Sequence, residues 1–130
     1  MTFTEGDIIE GFEEFQKQIG TLEKDSSKQP LYILFTGSDG PDGKSWCPDC
    51  VDFELVWENF KKASPPEDGC FIRVKVGPRD YWKDKNCPFR TEKSLRLTSV
   101  PTLMKWGTPK RLSDDQILKP DCIAMLLEDD

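Results

Sequence analysis

Two cysteines three positions apart, Cys47 and Cys50, carry the clearest chemistry in this sequence. Pro48 between them suits the first turn of a helix, where the N–H that proline lacks would have no intrahelical partner. The N-terminus of a helix lowers the pKa of a thiol through its dipole and its free N–H groups. We therefore expect two-step thiol–disulfide exchange, in which Cys47 attacks as nucleophile and the more buried Cys50 resolves the mixed disulfide.

The same cysteine pair has two other interpretations, a metal site and a chance spacing without function. A Cys₄ zinc site normally needs a second close pair of ligands. Cys70, Cys87 and Cys122 are isolated from one another, so we expect no metal. We expect these three to be small buried or half-buried side chains, with Cys87 the best candidate for an exposed, oxidisable thiol.

The segments around the pair predict the elements that position it. The continuous apolar run 31–35 is typical of a strand buried on both faces. Residues 37–45 contain three Gly, one Pro and two Asp, which indicates a loop. A helix is predicted from Pro48 to residue 64 at the latest, because an apolar stripe follows Pro48 and Pro65-Pro66 ends it. A pair that follows a buried strand and opens a helix is stronger evidence for redox chemistry than the spacing alone.

The remaining chain alternates in the same way. The predicted elements are a strand over 7–10, a helix over 11–19, a strand over 71–76, a short helix near Pro88, a hairpin of 102–106 with 110–112, and a last helix opening at Pro120. This order favours an α/β architecture with helices on a central sheet. We interpret residues 1–130 as one domain, since the length is that of a single core.

Charge and composition exclude several classes of function. The sequence has 18 Lys+Arg against 24 Asp+Glu, a net charge of −6, and no His. Nucleic acids and anionic membranes need a cationic surface, so neither is expected as a partner. Histidine-dependent catalysis is excluded outright. With no signal-like N-terminus and no apolar run long enough to span a bilayer, we expect a reducing intracellular compartment. We also expect a monomer, because the predicted elements leave no large apolar stripe uncovered.

A second motif precedes the predicted hairpin, at Ser99-Val100-Pro101-Thr102. The Val100–Pro101 bond is a candidate for the cis form, which proteins use in tight turns. An ordinary proline at the start of a strand is the alternative.

Several motifs together carry a resemblance to a known family. They are GFEEF (11–15), FTGS (35–38), KSWCPDC (44–50), YWKD (81–84), VPTL (100–103) and GTP (107–109). With these motifs the chain resembles the thioredoxin family, and within it the cytosolic fourteen-kilodalton thioredoxin-related branch. The resemblance covers nearly the whole sequence.

The resemblance implies a thioredoxin-like fold with a four- or five-stranded mixed sheet flanked by helices. It also implies that Cys47 is the nucleophile and Cys50 the resolving thiol. Pro101 is then cis and packs against the dithiol, and the Val100 main chain pairs with the substrate. No bound cofactor is implied.

In function, the resemblance implies a cytosolic protein-disulfide reductase. Thioredoxin reductase would recycle it with electrons from NADPH, and its substrates would be disulfides in proteins or small molecules. Some hydroperoxide-reducing activity and a role in redox signalling belong to the same resemblance. The alternative is a binding adaptor whose partner affinity is switched by redox state, and turnover distinguishes the two.

The chain departs from ordinary thioredoxins at two positions. Leu34 stands where they carry a buried acid, so proton transfer at Cys50 needs water or another acid. Leu55 stands where a proline kinks their active-site helix, which makes a straighter helix plausible.

Residues beside the dithiol are expected to support it. Pro48 and Asp49 lie between the cysteines, and Trp46 is either a partly exposed residue that meets substrate or plain core. The carboxylate of Asp49 suits the helix dipole but opposes a thiolate. We hypothesise that Asp39, Asp42 and Asp49 together disfavour anionic disulfides.

Overall fold

A computed structural model describes residues 3–25 and 29–128 of the chain. The strands are β1 (Phe3–Glu10), β2 (Leu31–Thr36), β3 (Gly69–Lys75), β4 (Thr102–Lys105) and β5 (Arg111–Ser113). The helices are α1 (Phe12–Asp25), α2 (Pro48–Ala63), α3 (Arg79–Lys83), α4 (Pro88–Thr91) and α5 (Pro120–Leu127), and a 3₁₀ turn covers Asp114–Leu118.

The five strands form one mixed sheet in the order β1-β3-β2-β4-β5. β1 and β2 run parallel to β3, while β4 is antiparallel to both β2 and β5. All six residues of β2 are buried, as the unbroken apolar run predicts for a strand covered on both faces. The predicted α/β fold with a mixed sheet and a β4–β5 hairpin is confirmed.

Apolar side chains cover the two faces of the sheet separately. On one face, Phe15 of α1 packs edge-on against Phe35 of β2, with ring centroids 5.7 Å apart. On the other, Trp57 of α2 stacks on Phe71 of β3 at 4.5 Å. These contacts fix α2, and therefore the cysteines at its start, on the sheet.

Two elements are longer than the sequence pattern predicts. β1 begins at Phe3, because pairing with β3 continues over residues whose side chains are mostly exposed and therefore show little apolar pattern. α1 continues through Gly20 to Asp25. A glycine inside a helix costs about 1 kcal/mol, and the packing of Ile19 and Leu22 against the core offsets that cost.

Cys87 was expected to be exposed, and that expectation is wrong. Its side chain is only 3% exposed and belongs to the same apolar cluster as Trp82 and Phe89. The polar residues before it form a turn, and Cys87 is the N-cap residue of α4, facing inward. Cys70 and Cys122 are half-buried, in agreement with the expectation for them.

Candidate active site

A short loop carries the chain from β2 to the cysteines. It folds back on itself, since the N–H of Gly40 donates to the carbonyl of Lys44 at 2.8 Å and Asp39 bridges to Ser45. The backbone N–H of Cys47 donates to Ser45 Oγ at 3.2 Å. The loop therefore sets where α2 begins.

Trp46 lies flat over Gly37 at the end of this loop. A Cβ at Gly37 would lie 2.6 Å from the indole ring, so only glycine allows this approach. The indole Nε1 donates to the carbonyl of Gly77 at 2.9 Å. Trp46 is half-buried. The sequence leaves two positions open for it, partly exposed or plain core, and the structure shows the first.

Gly77 also ties the loop to the first strand. Its N–H donates to Ser38 Oγ at 2.9 Å, and the Ser38 hydroxyl donates to the carboxylate of Glu10. Gly77 has a φ of +107°, a conformation that favours glycine. The site is thus braced from β1 and from the end of β3.

Cys47 is the N-cap residue of α2, and its Sγ accepts a hydrogen bond from the backbone N–H of Cys50 at 3.2 Å. The pKa of Cys47 falls to about 7, first because the Cys50 thiol donates to its sulfur and also because the N–H groups of Cys50 and Asp49 do. Burial and the Asp49 carboxylate oppose this shift in pKa. About half of Cys47 is therefore thiolate at neutral pH.

Cys50 has the opposite character. Its side chain is 1% exposed. The pKa of Cys50 is strongly raised, mainly because its proton is held by Cys47 and also because the group is buried. The N–H of Gly37 and the positive charge of Lys75 work against this rise in pKa. The pKa of one thiol is lowered, while that of the other is raised, so the two cysteines differ in how readily they lose a proton.

The Val100–Pro101 peptide bond is cis, as the resemblance implies. The Cys47 thiol donates to the carbonyl of Val100 at 3.4 Å. Pro101 is buried and Val100 is half-buried. The main chain of Val100 therefore lies beside Cys47 Sγ. Among the predicted site residues, the structure brings Cys47, Cys50 and Val100 together, with Trp46 and Pro101 next to them in the chain. Pro48 and Asp49 are exposed on the first turn of α2.

A recess of about 250 Å³ borders Cys50. We call it the Cys50 recess, and its walls include Thr36, Asp39, Lys44, Cys50, Glu54 and Lys75. The β3 alternation places Lys75 on a partly solvated face, yet its side chain is only 11% exposed and pairs with Asp39 at 3.2 Å. Lys75 reaches the loop because it pairs with Thr36 at the end of β2, a register that the sequence alone does not show.

Leu34 is fully buried and lies against the aromatic cluster of α2. No acid therefore stands on β2 at the position noted in the sequence. Within 3–25 and 29–128, no three His, Cys, Asp or Glu side chains are grouped so as to hold a metal ion. None of the helices in that part of the chain combines the length and apolar character needed to cross a membrane.

Comparison with known proteins agrees with this geometry. Residues 8–129 match the family described as "Thioredoxin domain-containing protein 17-like, thioredoxin domain". The chain belongs to this family. Thioredoxin domain-containing protein 17 of Homo sapiens is 44% identical over 124 residues, 94% of each chain, and that of Mus musculus is 39% identical over 130 residues, 99% of this chain and 98% of its own.

A more distant relative is the thioredoxin-like protein Clot of Arabidopsis thaliana. It is 32% identical over 115 residues, which cover 85% of this chain and 84% of its own. Membership of the thioredoxin domain-containing protein 17-like family, together with the adjacent Cys47 and Cys50 thiols, indicates a thiol–disulfide oxidoreductase in general terms.

Proposed function

We propose that this protein is a protein-disulfide reductase that uses Cys47 as nucleophile and Cys50 as resolving thiol. The observation that carries the proposal is the difference in pKa between two cysteines that lie one helical turn apart. The pKa of Cys47 is about 7, whereas that of the neighbouring Cys50 is strongly raised. An attacking thiolate beside a protonated second thiol is the arrangement that two-step exchange requires.

In the first step, the Cys47 thiolate attacks one sulfur of the substrate disulfide. The substrate S–S bond breaks, its other sulfur leaves as a thiolate and takes up a proton, and a mixed disulfide forms on Cys47. In the second step, Cys50 loses its proton and attacks Cys47 Sγ. The substrate is released as a second thiol, and the protein is left with a Cys47–Cys50 disulfide.

The surface around Cys47 supports docking of an extended substrate. The carbonyl of Val100 already accepts a hydrogen bond from the Cys47 thiol, so it faces the reacting sulfur. We propose that the Val100 main chain pairs with the substrate backbone, and that cis Pro101 and the half-buried ring of Trp46 complete the binding surface.

The electrons for turnover would come from NADPH through thioredoxin reductase, with no cofactor bound to this chain itself. We propose a cytoplasmic monomer that acts on disulfides in proteins or small molecules and serves redox signalling. Neither a nucleic acid nor a membrane is part of this proposal, since the net charge is −6.

The same dithiol supports hydroperoxide reduction. The Cys47 thiolate attacks the O–O bond, giving a sulfenic acid on Cys47 and an alcohol. The Cys50 thiol then condenses with the sulfenic acid, releasing water and forming the Cys47–Cys50 disulfide.

The test is NADPH oxidation in the presence of thioredoxin reductase, this protein, and cystine or insulin. Wild-type protein is expected to turn over, and Cys47→Ser is expected to show only the background rate. Cys50→Ser is expected to stop at a mixed disulfide on Cys47, visible by mass spectrometry. Turnover by Cys47→Ser equal to wild type contradicts the proposal.

The alternative is a redox-switched binding adaptor, because a mixed disulfide is itself a binding event. It predicts that the protein is reduced once and never cycles. In that case Cys50→Ser becomes a trap for isolating the partner.

A further inference from the structure

The Cys50 recess is lined both by the buried Cys50 thiol and by charged side chains. Cys50 is 1% exposed, yet it shares this space with the ion pair of Lys75 and Asp39. At about 250 Å³, the recess is large enough for several water molecules. The side chain of Asp39 is 49% exposed, so the pair reaches bulk solvent.

Thr36 is an independent indication that the recess is hydrated. Its side chain is 1% exposed, and its Oγ1 has no hydrogen-bond partner among the described residues. Thr36 lines the recess together with Cys50. Buried hydroxyls are nearly always hydrogen-bonded, and water is the usual partner where protein offers none.

Two carboxylates border the recess, and their surroundings differ. Both oxygens of Glu54 accept hydrogen bonds from Arg73, at 2.8 and 2.9 Å. This two-pronged pairing engages both oxygens of Glu54. Asp39 accepts from Lys75 through Oδ1 at 3.2 Å, and it reaches solvent. Of the two carboxylates, Asp39 is therefore the one whose second oxygen is open to water.

We propose that Asp39 and Lys75, through water held by Thr36 in the Cys50 recess, form the proton relay that serves Cys50. Asp39 takes the proton, and Lys75 positions Asp39 and favours negative charge on the nearby sulfur. Lys44, Glu54, Lys75 and Asp39 are the charged groups that face the recess. The relay deepens the proposed reductase function and rests on it.

The relay acts in the second step of the exchange. Once Cys47 is in a mixed disulfide, it no longer holds the Cys50 proton, so the largest cause of the raised pKa of Cys50 is gone. The proton then passes through water to Asp39 as Cys50 Sγ bonds to Cys47 Sγ. The bond between Cys47 and the substrate sulfur breaks, and its electron pair leaves on the substrate thiolate. When the disulfide is reduced again, the relay returns the proton to Cys50.

The test is a single turnover without any reductase. Reduced protein is mixed with excess 2-hydroxyethyl disulfide, a neutral probe, then quenched in acid and analysed by mass spectrometry. In Asp39→Asn, the mixed disulfide is expected to accumulate because its conversion to the Cys47–Cys50 disulfide slows about tenfold or more at pH 7. The rate is expected to recover with rising pH and with added formate or imidazole.

Two further variants separate proton transfer from structure. Thr36→Val removes the hydroxyl while nearly keeping the shape, and since Oγ1 has no protein partner the fold should persist. We expect a smaller slowing, about threefold, confined to the second step. Asp52→Asn is the matched control, because it removes one exposed negative charge from α2 near the dithiol but outside the recess.

The outcomes are distinct. The relay is wrong if Asp39→Asn converts the mixed disulfide to the Cys47–Cys50 disulfide at the wild-type rate. It is also wrong if the conversion is slowed and formate or imidazole does not restore its rate. Either result leaves the reductase proposal standing. A wild type that never proceeds beyond the mixed disulfide overturns the reductase proposal and the relay with it. Slow resolution that formate restores in Asp39→Asn, with Asp52→Asn unaffected, supports the relay.

Discussion

The backbone N–H of Cys50 lies 3.2 Å from Cys47 Sγ and donates a hydrogen bond to it. This contact exists because Cys47 caps α2 and Cys50 lies one turn further along the helix. The Cys50 thiol adds a second donor to the same sulfur. The two residues therefore depend on each other: what lowers the pKa of one raises the pKa of the other.

Removing the Cys50 thiol should raise the pKa of Cys47. In the wild type, the rate of Cys47 alkylation by iodoacetamide should reach half its maximum near pH 7, falling at lower pH as the thiolate is protonated. Cys50→Ala keeps the N–H donor but loses the thiol, the largest cause of the lowered pKa. Alkylation at pH 7 should then slow about three- to tenfold, with the midpoint at higher pH. Cys47→Ser measures background alkylation, and an unchanged midpoint in Cys50→Ala would count against the mutual dependence.

The aromatic stack under α2 should dominate the stability of the helix that carries the site. Trp57 is fully buried between Phe53, Phe60 and Phe71. Trp57→Ala should lower the free energy of unfolding by about 3–5 kcal/mol, through lost burial and the cavity that remains. Urea unfolding measures it. Leu55→Ala on the same helix, at a side chain 65% exposed, should change stability by less than about 0.5 kcal/mol. Equal losses for both variants would refute this assignment of the core.

A side chain at Gly37 should displace Trp46. Gly37→Ala places a Cβ 2.6 Å from the indole, which must move and loses its hydrogen bond to Gly77. We expect a cost of about 1–3 kcal/mol and a change in tryptophan fluorescence that Trp46→Phe abolishes. Gly43→Ala is the control variant in the same loop. Gly43 has a positive φ, so alanine is strained there, but an added Cβ meets open space and does not touch Trp46. If Gly37→Ala leaves the fluorescence unchanged, the close approach is not required.

Acidic residues near the dithiol should select against anionic disulfides. Asp42 and Asp49 are exposed, and the Asp49 carboxylate also raises the pKa of Cys47. Oxidised glutathione should therefore react more slowly than 2-hydroxyethyl disulfide, and added salt should narrow the gap. Asp49→Asn should speed the anionic reaction by about two- to fivefold at low salt. Equal rates for the two disulfides, independent of salt, would reject the hypothesis.

The dithiol and its place in the fold were predictable because they depend on local patterns. The buried run of β2, the glycine-rich loop and Pro48 lie next to one another in the chain, so their geometry follows from short-range rules. The cis bond at Pro101 came from the resemblance. The exposure of Cys87 was wrongly predicted because the residues just before it are polar, whereas the apolar cluster that it joins includes Trp82 and Phe89.

The Cys50 recess could not be found in this way. Thr36, Asp39 and Lys75 come from β2, the loop and β3, and only the parallel pairing of β2 with β3 brings them together. Alternation on β3 correctly places Lys75 on the face opposite Ile72 and Val74. It cannot show that the loop folds over that lysine and removes most of its contact with water.

The two sides of the dithiol have a consequence for the order of events in a reaction cycle. Cys50 borders the recess, whereas Cys47, Val100 and Pro101 are not part of its walls. In the proposed cycle, a substrate seated on the Val100 main chain and Pro101 would therefore contact residues other than those that line the recess. Under the proposed relay, the Cys50 proton would leave through the recess while the substrate leaves from Val100 and Pro101, so the size of the substrate would not set how fast Cys50 loses its proton.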